Sequence, residues 1–169
     1  DGRYDKSLKD LSVYFSEEAL IKYRLKIEIE YLISLSHEQT IKELPPLIEH
    51  DQNKLRTLYL EFNSLDAKKV KQIEKTTNHD VKAVEYFLQE KVDKQLHPWI
   101  HFSLTSEDVN NLAYSMMWKD GLNKVYLPFL IKINNRLLEL SKEYKGDSLL
   151  SLTHGQPATP TTFGKELLV

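Results

Sequence analysis

The 169-residue sequence contains no cysteine. Disulfides, thiolate nucleophiles and cysteine-ligated zinc or iron–sulfur centres are therefore excluded. Glycine is scarce, with five residues, and no glycine-rich run of the kind that cradles a phosphate is present. Neither sign of charge predominates: 23 Lys and Arg stand against 25 Asp and Glu, a formal net charge of −2, with both signs mixed throughout. Without a basic stripe to follow a phosphate backbone, nucleic acid is not an expected partner. No apolar run approaches the ~18 residues needed to span a bilayer, so a membrane is not expected either, and no signal-peptide pattern opens the chain. His-Glu-x-x-His metal spacing and internal repeats are also missing. A soluble cytoplasmic protein is the default expectation. Both ends look cut: the chain opens on Asp1 without an initiator Met and stops at Val169 inside an apolar helical pattern with no cap. A portion of a longer polypeptide is expected.

What is present is helical periodicity. Ser16 is a good N-cap, followed by Glu17 and Glu18, with Phe15 placed to staple onto Leu20. Leu20, Tyr23, Ile27, Tyr31 and Leu35 then recur at three- and four-residue steps, and this helix fades near His37. A second helix is expected from Pro45-Pro46, with Leu47, Ile48, Leu55, Leu58, Tyr59 and Phe62 on its apolar face. A third follows Ser64 and carries Leu65, Val70 and Ile73. Asn78 is the expected N-cap of a helix bearing Val81, Val84, Phe87 and Leu88. His37 and His50, among charged neighbours, are expected at the surface. The pattern breaks at His97-Pro98, which divides an N-terminal helical domain, 1–95, from the beginning of a helix-bundle domain, 96–169. Thr105 and Asp108 have capping-box spacing at the start of a long helix. Its expected buried side runs from Val109, Leu112, Ala113 and Met116 through Ile133 to Tyr144, and Pro128 kinks or divides it. The fold class is all-α.

Four stretches could carry chemistry. Arg3 beside Tyr4 suits a phosphate or carboxylate contact, since the guanidinium fork matches those oxygens; a solvated terminus is the other reading. His79 in a first helical turn lies where free N–H groups favour an anion, or serves as part of an ordinary cap. Thr105 and Ser106 offer hydroxyls at another positive helix end, or capping alone. The run Thr153-His154-Gly155-Gln156-Pro157-Ala158-Thr159-Pro160 reads as a stiffened loop, entered by extended chain from Ser148, with a new helix opening near Pro160 or Thr161. It presents His154, and histidine is the side chain that gives or takes a proton near neutrality. A surface histidine in a proline-rich connection is the alternative.

Together and in this order, Asp1-Gly2-Arg3-Tyr4, Thr76–Tyr86 with its Asn78-His79-Asp80 core, Thr105-Ser106-Glu107-Asp108 with Asn110-Asn111, and Thr153–Pro160 resemble the adenylosuccinate lyase family of the fumarase/aspartase superfamily. The resemblance covers essentially the whole chain. It implies an all-helical subunit whose middle domain joins a homotetramer, with active sites shared between subunits. It implies a β-elimination releasing fumarate from adenylosuccinate to give AMP, and from SAICAR (the succinyl-carboxamide ribotide) to give AICAR, with no metal or organic cofactor. Matched by motif, Arg3 and Tyr4 contact the phosphate region, Asn78, His79, Asp80, Thr105 and Ser106 line the site, and His154 is the general acid. The family's signature loop, which supplies the serine thought to act as base, has no counterpart here, so the 169 residues alone are expected to be inactive. The alternatives are another lyase of the superfamily and a non-catalytic helical module that oligomerises.

Overall fold

The computed structural model describes residues 2–169; Asp1, quoted in the opening motif, lies outside the described residues. The chain forms two compact units, Asp1–Gly121 and Leu122–Val169. The first opens with a 3-10 turn, Gly2–Ser7, and a single turn α1 (Lys9–Ser12). Four helices follow: α2 (Glu17–Leu35), α3 (Glu49–Leu60), α4 (Ser64–Thr77) and α5 (Asp80–Gln89). After a 3-10 segment, Lys94–Trp99, comes α6 (Ser106–Gly121). The second unit holds a π-helical segment, Leu122–Tyr126, then α7 (Leu127–Glu143), a hairpin of β1 (Ser148–Thr153) and β2 (Gln156–Thr162), and the short α8 (Phe163–Glu166). The all-α class holds apart from that hairpin. Among the described residues, no helix is long and apolar enough to cross a membrane.

Helix α2 is the centre of the first unit. The Ser16 hydroxyl accepts from the Ala19 N–H at 3.1 Å, as the cap reading required. The helix is buried on two sides rather than along one stripe. Ile21, Leu25, Ile29 and Leu32 enter a core built with α3, α4 and α5, including Leu55, Val70, Val84, Phe87 and Leu88. On another side Tyr23 and Ile27 pack with Val109, Ala113 and Met117 of α6. Each fully buried aliphatic or aromatic side chain contributes about 1.5–3 kcal/mol relative to exposure, so these two contacts hold the unit together. Phe15, expected against Leu20, instead sets its ring edge-on to Trp118, with centroids 5.3 Å apart. A Cβ at Gly121 would collide with that ring.

Several boundaries differ from expectation. Helix α3 begins at Glu49, not at Pro45-Pro46; Ile48 ahead of it is extended, with φ −71° and ψ 159°. Helix α4 starts one turn-residue earlier than expected, capped by Asn63 in a full capping box with Asp66, and Leu65 is 73% exposed. Of the long helix's expected buried side, Val109 and Ala113 are buried and Met116 packs partly against the second core, whereas Leu112 is exposed. On α7, Ser141 is the buried residue, and Phe129, Ile131 and Ile133 are exposed. Pro128, in the first turn of α7, follows the widened π-helical segment. That segment accommodates the missing N–H and the ring clash that would otherwise kink a continuous helix. His37 and His50 are exposed, as expected.

Candidate functional site

Asn78 does not cap α5. It closes α4 in the left-handed region, φ 50° and ψ 31°, donating its N–H to the Glu74 carbonyl. Asparagine tolerates that conformation because its short polar side chain can bond locally. The cap of α5 is His79 itself, one residue later: the Lys82 N–H donates to His79 Nδ1 at 3.1 Å. A ring nitrogen that accepts a hydrogen bond carries no proton, so in this geometry the proton of the neutral ring is on Nε2, as a donor. The Val81 N–H donates to Asp80 Oδ1 at 2.9 Å. Two of the helix's free N–H groups are thus met by its own side chains, which is the ordinary-cap reading of this turn.

Asp80 is the member of this turn that reaches further. Its Oδ2 accepts from the Arg24 guanidinium at 2.6 Å, and Arg24 Nε donates to Asn110 Oδ1 at 2.9 Å. Asn110 Nδ2 in turn donates to Glu107 Oε1 at 3.2 Å. Partial burial works to raise the Asp80 carboxyl, but the charge and hydrogen bond of Arg24, with the Val81 N–H, outweigh it and hold the carboxyl below its usual range. The Asn78–Asp80 turn and the beginning of α6 are therefore brought together through a buried arginine on α2.

At the start of α6, Asp108 Oδ2 accepts from both the Thr105 N–H, at 2.7 Å, and the Thr105 hydroxyl, at 2.8 Å. Those bonds hold the Asp108 carboxyl below its usual value. One half of the expected Thr105–Asp108 capping box is present: the Asp108 carboxylate takes the Thr105 N–H and hydroxyl, while the Asp108 N–H donates to the Thr105 carbonyl at 3.2 Å. Ser106 is half-buried beside it. Arg3 and Tyr4 lie in the opening 3-10 turn, both exposed, with the guanidinium carbon 5.5 Å from the Tyr4 ring centroid. A cleft of about 280 Å³ lined by Leu47, Leu58, Lys91 and Leu96 includes none of the candidate site residues, Arg3, Tyr4, Asn78, His79, Asp80, Thr105, Ser106 or His154.

In the second unit, His154 sits at the tip of the hairpin rather than in an irregular loop. His154, at φ 49°, and Gly155, at φ 76°, form the two-residue turn between the paired Thr153 and Gln156. Two successive positive φ angles match the strand twist of a tight antiparallel hairpin, and glycine supplies one without a Cβ penalty. Pro157 and Pro160 lie in β2, opposite Leu152 and Leu150, with a register irregularity between them. A two-stranded ribbon tolerates proline because each strand has an edge where no N–H is required. The strand continues through Thr162, so the following helix opens at Phe163, later than expected; the Thr162 hydroxyl accepts from the Lys165 N–H at 3.2 Å. His154 is exposed.

Arg24, Glu28 and His101 escaped the sequence reading. For two of them a signal was there: Arg24 and Glu28 are charged residues four apart, each flanked by apolar residues in Tyr23-Arg24-Leu25 and Ile27-Glu28-Ile29. Only groups with buried partners survive in such positions.

Comparison with known proteins agrees with this architecture. The chain is 50% identical over its whole length to an adenylosuccinate lyase of Dictyostelium discoideum, covering 38% of that protein. Identity is 47% to the adenylosuccinate lyase of Legionella pneumophila and 44% to that of Escherichia coli K12, each over 99% of this chain and 38% of the relative. The chain therefore spans less than two-fifths of the length of these relatives. A solved structure, the β-carboxy-cis,cis-muconate cycloisomerase of Acinetobacter calcoaceticus, superposes with a TM-score of 0.71 at 17% identity, over 94% of this chain and 36% of that one; it shares the fold. A family model described as Lyase matches residues 2–169, and the chain belongs to that lyase family.

Proposed function

We propose that the protein acts as an adenylosuccinate lyase, a C–N lyase of purine and AMP biosynthesis. It eliminates fumarate from adenylosuccinate to leave AMP, and from SAICAR to leave AICAR, in the cytoplasm. The observation that carries this reading is the 43–50% identity to relatives of that name across the whole chain, which includes every candidate residue. In the reaction a base removes a proton from the carbon next to a carboxylate, the C–N electron pair passes to nitrogen, and a carbon–carbon double bond forms. Nitrogen leaves poorly unless protonated, so His154 gives it a proton as general acid. Arg3 and Tyr4 take the phosphate region. Asn78, His79, Asp80, Thr105 and Ser106 line the site, where donors at helix starts offset charge developing on the carboxylate oxygens. No organic cofactor or metal enters this scheme.

The residues named here include an acid and no base, so the 169-residue chain by itself does not turn over. Residues 1–95 form the N-terminal domain of this reading, and 96–169 begin the central bundle domain. The exposed Phe129, Ile131 and Ile133 on α7 fit a helix that is covered in a homotetramer whose active sites draw on several subunits. Ultraviolet absorbance of the full-length protein's reaction tests the reading. Fumarate release from adenylosuccinate is expected. Release from argininosuccinate alone would make it another lyase of the superfamily, and release from neither by a well-assembled protein would leave a helical oligomerisation module.

A further inference from the structure

Arg24 stands out as a buried cation, its side chain 5% exposed, on the helix that forms both cores of the first unit. Placing a guanidinium there is costly, and apolar replacements of buried ion pairs are often as stable or more so. Its value lies in geometry. The guanidinium is planar and its donors form a rigid fork. Here one arm meets Asp80, the first residue of α5, and the other meets Asn110, in the second turn of α6. Asp80 is joined by the backbone to His79 and Asn78, and its own side chain is 50% exposed, with Oδ2 on Arg24 and Oδ1 on the Val81 N–H. Asn110 is tied onward to Glu107, next to Ser106.

We infer that Arg24 is a positioning residue that sets the spacing between the Asn78–Asp80 turn and the Thr105–Ser106 helix start. The inference deepens the proposed function, on which its kinetic arm rests. Lysine cannot replace it, because a single ammonium is a point charge that cannot address both partners at fixed angles.

The test compares Arg24→Lys and Arg24→Met in the full-length protein by steady-state kinetics with adenylosuccinate, at a temperature well below the unfolding midpoint. The expected result is a fall in kcat/KM on the order of 10-fold or more for both variants, with no rescue by lysine although charge is retained. Folded variants with kcat/KM within twofold of wild type overturn the inference, since a merely structural residue would move only the melting temperature. If the Arg24 variants do not fold, Asn110→Ala removes one arm alone: a threefold or greater loss supports the link and an unchanged value overturns it. A readout independent of activity is amide hydrogen exchange in the full-length protein. Arg24→Lys is expected to speed exchange at Val81 and Lys82 and also at Val109–Asn111, while Leu25–Leu32 stays slow. Acceleration at one helix start only, or at neither, overturns the link. Should the wild-type protein fail to act on adenylosuccinate, the functional proposal falls while the exchange experiment still decides the role of Arg24.

Discussion

Glu28 and His101 grip each other twice. Glu28 Oε2 accepts the His101 backbone N–H at 3.1 Å, and Glu28 Oε1 lies 2.6 Å from His101 Nδ1. Glu28 is fully buried on α2, and His101 holds a left-handed φ of 59°. Glu85 Oε1 stands 3.8 Å from the other ring nitrogen, and Lys82 pairs with Glu85 at 2.7 Å. The positive φ at His101 is uncommon for a residue with a Cβ, and the double contact to Glu28 is what holds it there. Glu28→Ala strands that contact and is expected to cost about 3 kcal/mol, measured by urea unfolding.

The same pair has a pH signature. Burial raises the Glu28 carboxyl above its ordinary 4.5, although the His101 hydrogen bonds act against the rise. The folded protein therefore holds this proton more tightly than the unfolded chain does. The resulting stability is present at acid pH and is lost as pH rises from 4.5 through the raised value. Glu28→Gln keeps the shape and has no such proton. Its stability relative to wild type should improve as pH rises through that window, read as the difference in urea midpoints; a constant difference would contradict this account.

Glu30 runs the opposite way. Arg56 binds both its oxygens, at 2.9 and 3.0 Å, and this hydrogen bonding holds its carboxyl below the ordinary value against the effect of partial burial. Stability from this pair is present above 4.5 and lost as pH falls through the lowered value. Arg56→Gln should bring the Glu30 titration, followed by NMR, back up toward 4.5. The two proteins should differ in stability near neutrality and converge in acid.

Two glycines of the second unit predict different penalties. At Gly155 nothing surrounds the missing Cβ, so Gly155→Ala meets only the strain of a positive φ, about 1 kcal/mol. It should appear as several-fold faster exchange at the Thr153 and Gln156 amides. At Gly164 a Cβ would press on the Ser141 carbonyl and lie 2.7 Å from Lys145 N. Gly164→Ala should break the bond from its N–H to the Tyr144 carbonyl, 3.0 Å in this structure, and cost about 3 kcal/mol.

His154→Ala in the full-length protein should lower fumarate release from adenylosuccinate on the order of 10²-fold or more. Because the side chain is exposed at a hairpin tip, the melting temperature should not change. Undiminished activity would remove His154 from the role of acid.

The sequence by itself was sufficient for what depends on near neighbours. Periodicity and capping residues located α2, α5 and α6 and the Ser16 cap, and the order of the short motifs pointed to the lyase family. Local rules failed where two local solutions compete: Asn78 and His79 are both plausible caps, and the tertiary contact of Asp80 with Arg24 goes with a start one residue later. The His154 run was legible as a bend but not as a hairpin, because prolines argue against strands unless the ladder leaves their N–H positions free. What only the tertiary structure decided was which charges are buried. Arg24 and Glu28 gain their partners from residues 56 and 73 positions away; the local pattern marks a charge on an apolar helix as needing a partner but cannot say which distant residue supplies it.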